Sequence, residues 1–239
     1  MNLRGAHGPR RRIAIAAAGV FVAVLLAAPE GWGAEARHDA GAGQAHYQQG
    51  LEALSKRDWP EAVRQLRWTL EYLPKSPDVH NSLGLAYLHN GDNDHAAIEF
   101  RKAVALKPDF AEAYYNMAQA LERRDDEAGA AQFYQWAARA GLPKAEDHDA
   151  RGFLLMHQGD LAGAESEFEA ALQDGPSLAS AHFHLGAAFR LQQKYAEAVA
   201  ELKKALKLDP SNAKARDDLG LATRHLDQPK DRSPASAPQ

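Results

Sequence analysis

Two patterns of apolar positions divide the chain. From Ile13 to Ala28, sixteen residues pass without a charged or polar side chain, between Arg10-Arg11-Arg12 and Pro29. A basic patch, a short apolar core and small residues downstream form the layout of a secretory signal. The best cleavage point follows Ala34-Glu35-Ala36, which makes 1–36 a signal peptide or, if retained, a membrane anchor. A sixteen-residue core falls just short of the roughly 17–25 residues a helix needs to cross a bilayer, and this favours cleavage.

From residue 43 onward the apolar positions recur every 34 residues. Gly50, Gly84, Gly152, Gly186 and Gly220 share one register, with Ala118 in the remaining slot. Ala62, Ala96, Ala130, Ala164 and Ala198 keep the same phase, as do Leu66, Phe100, Tyr134, Phe168 and Leu202. Further columns run through Thr69, Ala103, Ala137, Ala171 and Ala205, and through Pro74, Pro108, Pro176 and Pro210, with Leu142-Pro143 one residue late. Two short helices that cross closely need a small residue at the crossing, and a bulky one fills the space beside it. Proline closes each second helix, and Ser76, Asp109, Ser177 and Ser211 offer caps for the next. Inside each unit Asp58-Trp59-Pro60, Gly91-Asp92, Asp125-Asp126 and Gly159-Asp160 mark a turn.

The pattern predicts five helix-turn-helix units over 43–76, 77–110, 111–144, 145–178 and 179–212. A stack of such units leaves an apolar face at its end, which a terminal helix with a polar outside must cover. Residues 213–227 fit that role, with Ala215, Leu219, Ala222 and Leu226 on one stripe. Residues 37–42 read as a Gly/Ala linker and 228–239 as a disordered, Pro-containing tail.

The second unit, through Leu83, Gly84, Tyr87, Ala96, Phe100, Ala103 and Pro108, resembles the tetratricopeptide repeat family. The fifth follows through Leu185, Gly186, Phe189, Ala198, Leu202, Ala205 and Pro210, while the third departs at Met117, Ala118 and Leu121 and the first at Gln49 and Ala53. The resemblance implies an all-α, right-handed α-solenoid of five helix pairs plus a C-terminal capping helix. It also implies a protein-protein interaction scaffold in which the first helix of each unit lines a concave groove. On the family's geometry the groove positions are Tyr47, Asn81, Leu85, Leu88, Tyr115, Gln119, Phe153, Met156, Phe183 and Arg190, with Glu122, Arg123 and Asp149 among the polar ones. Tyr115, Phe153 and Phe183, from three successive units, would form an aromatic track for a partner segment. The family's clamp for chaperone tails is not matched: Asn81 and Asn116 are present, but Leu85, Glu146 and Ala150 replace its other residues.

Composition narrows the function further. At 45% hydrophobic and 25% charged residues the chain is ordinary for a protein that folds in water. Its formal charge of −4 becomes −6 without residues 1–36, which carry four arginines against Glu30 and Glu35. Nothing in that balance suits nucleic acid. There is no cysteine, so disulfides, thiolate metal sites and a cysteine nucleophile are excluded. Outside the signal, the units and the cap only eighteen residues remain, too few for a catalytic domain. Of eleven histidines, His46, His80, His148 and His182 fill one column. Taken as a helix pair apart, they are too distant to share a metal. His182 and His184, two residues apart on a helix, point in different directions. Packing is the expected role of the histidines, and the acidic runs at 122–127 and 160–169 are expected to be solvated faces.

The expectation is therefore a non-catalytic scaffold without cofactor or metal, secreted or periplasmic, gripping a protein or peptide partner within an assembly or export system. A membrane-tethered assembly or maturation factor, held by an uncleaved helix over 13–28, is the alternative. An enzyme or metal-binding protein using its histidines is the third reading.

Overall fold

The computed structural model describes residues 32–227, and those residues form eleven helices with no strand. The apolar run Ile13–Ala28 and the tail 228–239 lie outside the described residues. The chain divides into two units, Met1–Asp39 and Ala40–Gln239, and the repeats lie in the second. The helices are α1 (Trp32–Ser55), α2 (Trp59–Tyr72), α3 (Pro77–His89), α4 (Asn93–Leu106), α5 (Ala111–Glu122) and α6 (Glu127–Ala140). They continue as α7 (Lys144–His157), α8 (Leu161–Asp174), α9 (Ala179–Leu191), α10 (Tyr195–Leu208) and α11 (Ala213–Asp227). From α2 on, each helix packs on its sequence neighbours, and first helices also meet one another in α3·α5, α7·α9 and α9·α11. The fold is an all-α solenoid.

The glycine column explains the tight helix pairs. A Cβ on Gly84 would lie 2.5 Å from Phe100 Cε1, and one on Gly152 the same distance from Phe168 Cε1. Phe100, Phe168, Tyr134, Leu66 and Leu202 are all fully buried beneath this column.

The turn within each unit has a regularity of its own. Arg57, Gly91, Asp125, Gly159 and Gln193, each 34 residues after the last, are all left-handed, with φ between 59° and 86°. Each closes its first helix with a pair of bonds, as when Asp92 N–H donates to Tyr87 C=O and Gly91 N–H to Leu88 C=O. The next residue then caps the second helix: Asp58, Asp92, Asp126 and Asp160 accept from the backbone N–H three residues on. Lys194, in the fifth unit, makes no such side-chain bond.

Residues 37–42 are helical, lying within α1, and the boundary between the two units falls among them. Alanine there favours the helix, and at its end Gly43 lets α1 approach α2, a Cβ at that position meeting Tyr72 Cβ at 2.7 Å. The capping stripe is also shorter than read, for Ala215 and Ala222 are buried whereas Leu226 is 49% exposed. Among the described residues no helix is long and apolar enough to cross a membrane.

Candidate functional site

The inner surface of the first helices frames a cavity of about 440 Å³. Asn81 and Leu85 of α3, Tyr115, Asn116 and Gln119 of α5, and Ser180 and Phe183 of α9 line it, and Asp209, Asn212 and Lys214 close its far side. A smaller cavity of about 190 Å³ lies beside Phe153, Met156, Phe183 and Arg190. Asn81, Leu85, Gln119, Met156 and Arg190 are partly accessible in these walls. Tyr47, also half-buried, packs in the first unit's core instead. Arg190 Nε lies 3.1 Å from Asp218 Oδ1 on α11.

The aromatic track is corrected by burial. Tyr115, Phe153 and Phe183 are only 3–4% exposed and Leu88 not at all, so these four are core residues that show at most an edge to the cavities. Direct contacts between first helices, with Asp209 and Lys214 reaching across the groove, bury positions that would face outward on a more open solenoid.

What replaces the track is a buried ionic cluster. His184 has no exposed surface; its Nδ1 lies 2.8 Å from Asp149 Oδ1 and its Nε2 3.0 Å from Glu122 Oε2. The Tyr115 hydroxyl donates to the other Asp149 oxygen and lies 2.7 Å from Ser180 Oγ. Rings of Tyr134, Phe153, Phe168 and Phe183 stand 5.3–6.1 Å from the imidazole. Burial alone would favour neutral His184, but the charges of Asp149 and Glu122 and the bonds to them prevail, and its pKa is pushed up to about 10. Both ring nitrogens thus face a carboxylate acceptor. Burial, then the Asp149 charge, raises the Tyr115 pKa well above the usual phenol value, so its hydroxyl stays a donor.

This cluster exists because first helices of successive units touch directly. Asn116 Nδ2 donates to Asn81 Oδ1 over 3.0 Å, and Asp149 meets His184 in the same 35-residue relationship. The spacing of a full helix pair expected between equivalent positions therefore overestimates their separation on this inner face. The sequence signal for these contacts is the recurrence of polar residues 35 positions apart, Asn81 with Asn116 and Asp149 with His184.

A second set of charges joins distant units. Arg123, at the end of α5, pairs with Asp209 after α10 and donates to Leu88 C=O over 3.1 Å. His89 Nδ1 lies 3.5 Å from the same carboxylate, and Lys214 reaches Asp125 at 3.3 Å and Glu127 at 3.0 Å. Burial would raise the Asp209 pKa, but the bond from His89 and the charge of Arg123 outweigh it and hold the carboxyl well below the usual range. These pairs clasp the fifth unit and cap across the groove to the second and third.

The histidine column is structural. His80 Nδ1 and His182 Nδ1 each lie 2.6 Å from a glutamate nineteen residues on, Glu99 and Glu201, while their Nε2 atoms face Pro74 and Pro176 C=O at 3.2 Å. His148 pairs with Glu167 at 2.7 Å and His46 with Gln65 at 2.7 Å. In the third unit Tyr114 takes the place, its ring tilted against Phe133 and its hydroxyl donating to Pro108 C=O.

Comparison with known proteins agrees with this architecture. The tetratricopeptide repeat model matches residues 47–109 and 150–213, more than half of the chain. The probable biofilm formation methyltransferase WspC of Pseudomonas putida is 33% identical over 109 residues, 45% of this chain and 26% of that protein. The TPR repeat-containing protein PA4299 of Pseudomonas aeruginosa is 39% identical over 56 residues, 23% of either chain. The chain thus spans about a quarter of the length of these curated relatives. Among solved structures, TTC0263, a thermophilic TPR protein of Thermus thermophilus, shares 20% identity at a TM-score of 0.57, covering 77% of this chain and 100% of that one. Pseudomonas aeruginosa pilF shares 22% at 0.52, covering 79% and 90%. At these identities the two structures show the fold alone. With its repeat register, its paired helices and more than half its length matched, the chain belongs to the tetratricopeptide repeat family.

Proposed function

We propose that this protein is a non-catalytic scaffold of the cell envelope that holds a segment of a partner protein in its concave groove, as part of an assembly or export system. Tetratricopeptide arrays are protein-interaction scaffolds, and the observation that carries the reading here is the cavity of about 440 Å³ between first helices. Its wall offers Leu85 and the edge of Phe183 for apolar contact, with the Gln119 amide beside them. A concave, mostly apolar site with a few polar groups is the usual form of a recognition site. The basic and apolar layout of residues 10–28 supports export.

A photo-crosslinking amino acid placed at Gln119 or Leu85 tests the groove in living cells. Adducts from these sites, and none from exposed Ile98 or Leu106 of α4, are expected. Adducts from α4 alone contradict it. The mass of the mature N-terminus tests export, with a chain beginning at Arg37 expected for a cleaved signal.

A further inference from the structure

We infer that the segment taken by this groove is basic, carrying lysine or arginine beside apolar side chains. The inference rests on the groove being the site. Four carboxylates and two cations, Arg123 and Lys214, line the larger cavity. Both cations are spent on acids of this chain: Arg123 on Asp209, Lys214 on Asp125 and Glu127. Glu122 is engaged by His184. Glu112 and Glu146 remain in the lining, with no ion pair or side-chain hydrogen bond among the described residues.

These two stand at the same place in successive units, in the first turns of α5 and α7, and exposed Asp78 of α3 continues the row outside the cavity. An acid there also suits the helix dipole. The repeat does not require one, however, because Gln44 and Ser180 hold the place in the first and fifth units. Beside the row the wall is apolar, through Leu85, Leu142, Leu178 and Phe183. The first helices α3 and α5, which carry Asp78 and Glu112, pack directly, and α5 reaches α7 through Tyr115 and Asp149; packed helix axes lie about 8–10 Å apart. That spacing is too wide for one metal ion to bridge the row. It suits an extended chain, in which a polyproline II segment repeats its side-chain direction every third residue, about 9 Å along. A basic group at every third position would then meet successive carboxylates while its neighbours meet the leucines.

The test uses the full chain and three fluorescent peptides, (Pro-Leu-Lys)4 and its versions with Gln or Glu in place of Lys. The lysine peptide should bind at least ten-fold tighter than either, lose most of that advantage between low and 0.5 M salt, and lose it again in the Glu112→Gln, Glu146→Gln double variant. An unchanged melting temperature in that variant establishes that the fold is intact. Equal binding of the three peptides, preference for the glutamate form, or binding of none overturns the inference. The groove reading falls separately: adducts at Gln119 with a partner that lacks a basic segment leave it standing and sink this one, whereas adducts from α4 alone sink both.

Discussion

His184 Nδ1 and Asp149 Oδ1 lie 2.8 Å apart with neither side chain exposed to water. Removing one member of a buried pair strands the other charge, which costs about 3–5 kcal/mol, although the intact pair itself stabilises little relative to an apolar replacement. His184→Ala should therefore lower the unfolding free energy by about that amount in urea titration, and more than truncation of half-buried His148. A loss below about 1 kcal/mol would show that the cluster is not held as described.

The same histidine sets a pH dependence. Its pKa rises from an ordinary 6.5 to about 10 on folding. A raised pKa contributes stability that is fully present below about 6.5 and is lost as pH climbs through about 10. The melting temperature should fall from pH 7 to pH 10, and a His184→Gln variant should show a shallower decline over that window. Parallel curves for the two proteins would remove His184 as the cause.

Two glycines of one column should respond oppositely to alanine. In Gly84→Ala the new Cβ meets Phe100 at 2.5 Å, so overpacking should cost about 1–3 kcal/mol. Gly220, on the cap, meets no second helix among the described residues, and its nearest neighbour would be Arg224 Nη2 at 3.9 Å. Gly220→Ala should add about 0.5–1 kcal/mol through helix propensity. Equal and like-signed shifts in calorimetry would contradict this account of the column.

The clasp should behave as a coupled pair. Arg123→Ala and Asp209→Ala should each destabilise, while a double-mutant cycle should return a coupling of about 1 kcal/mol or more. Additivity within about 0.5 kcal/mol would mean that the two ends of the groove do not hold one another.

The helices were legible because each unit writes its crossing, filler and stop at a nearly fixed period, and the close approach of Gly84 to Phe100 recurs at Gly50, Gly152 and Gly186 against Leu66, Phe168 and Leu202. The site was less legible because it forms between units. Asp149 and His184 belong to different helix pairs, and only direct contact of first helices brings them together. Tyr115 and Phe183 sit at family groove positions, yet direct contacts between first helices, with Asp209 and Lys214 reaching across the groove, place them in the core. Clasp residues such as Arg123 and Asp209 are 86 positions apart, a relationship set by superhelical shape that no local pattern encodes.

The groove itself is tested most directly by the affinity of a partner recovered with the tagged chain, measured for Leu85→Arg and for Ile98→Arg on α4. A central contact in a recognition site is worth about 2 kcal/mol, so Leu85→Arg should weaken binding roughly thirty-fold. Ile98, 46% exposed on the second helix of the same unit, should tolerate its change with affinity and melting temperature intact. Full affinity in Leu85→Arg together with loss in Ile98→Arg would contradict a concave site and move recognition to the second helices.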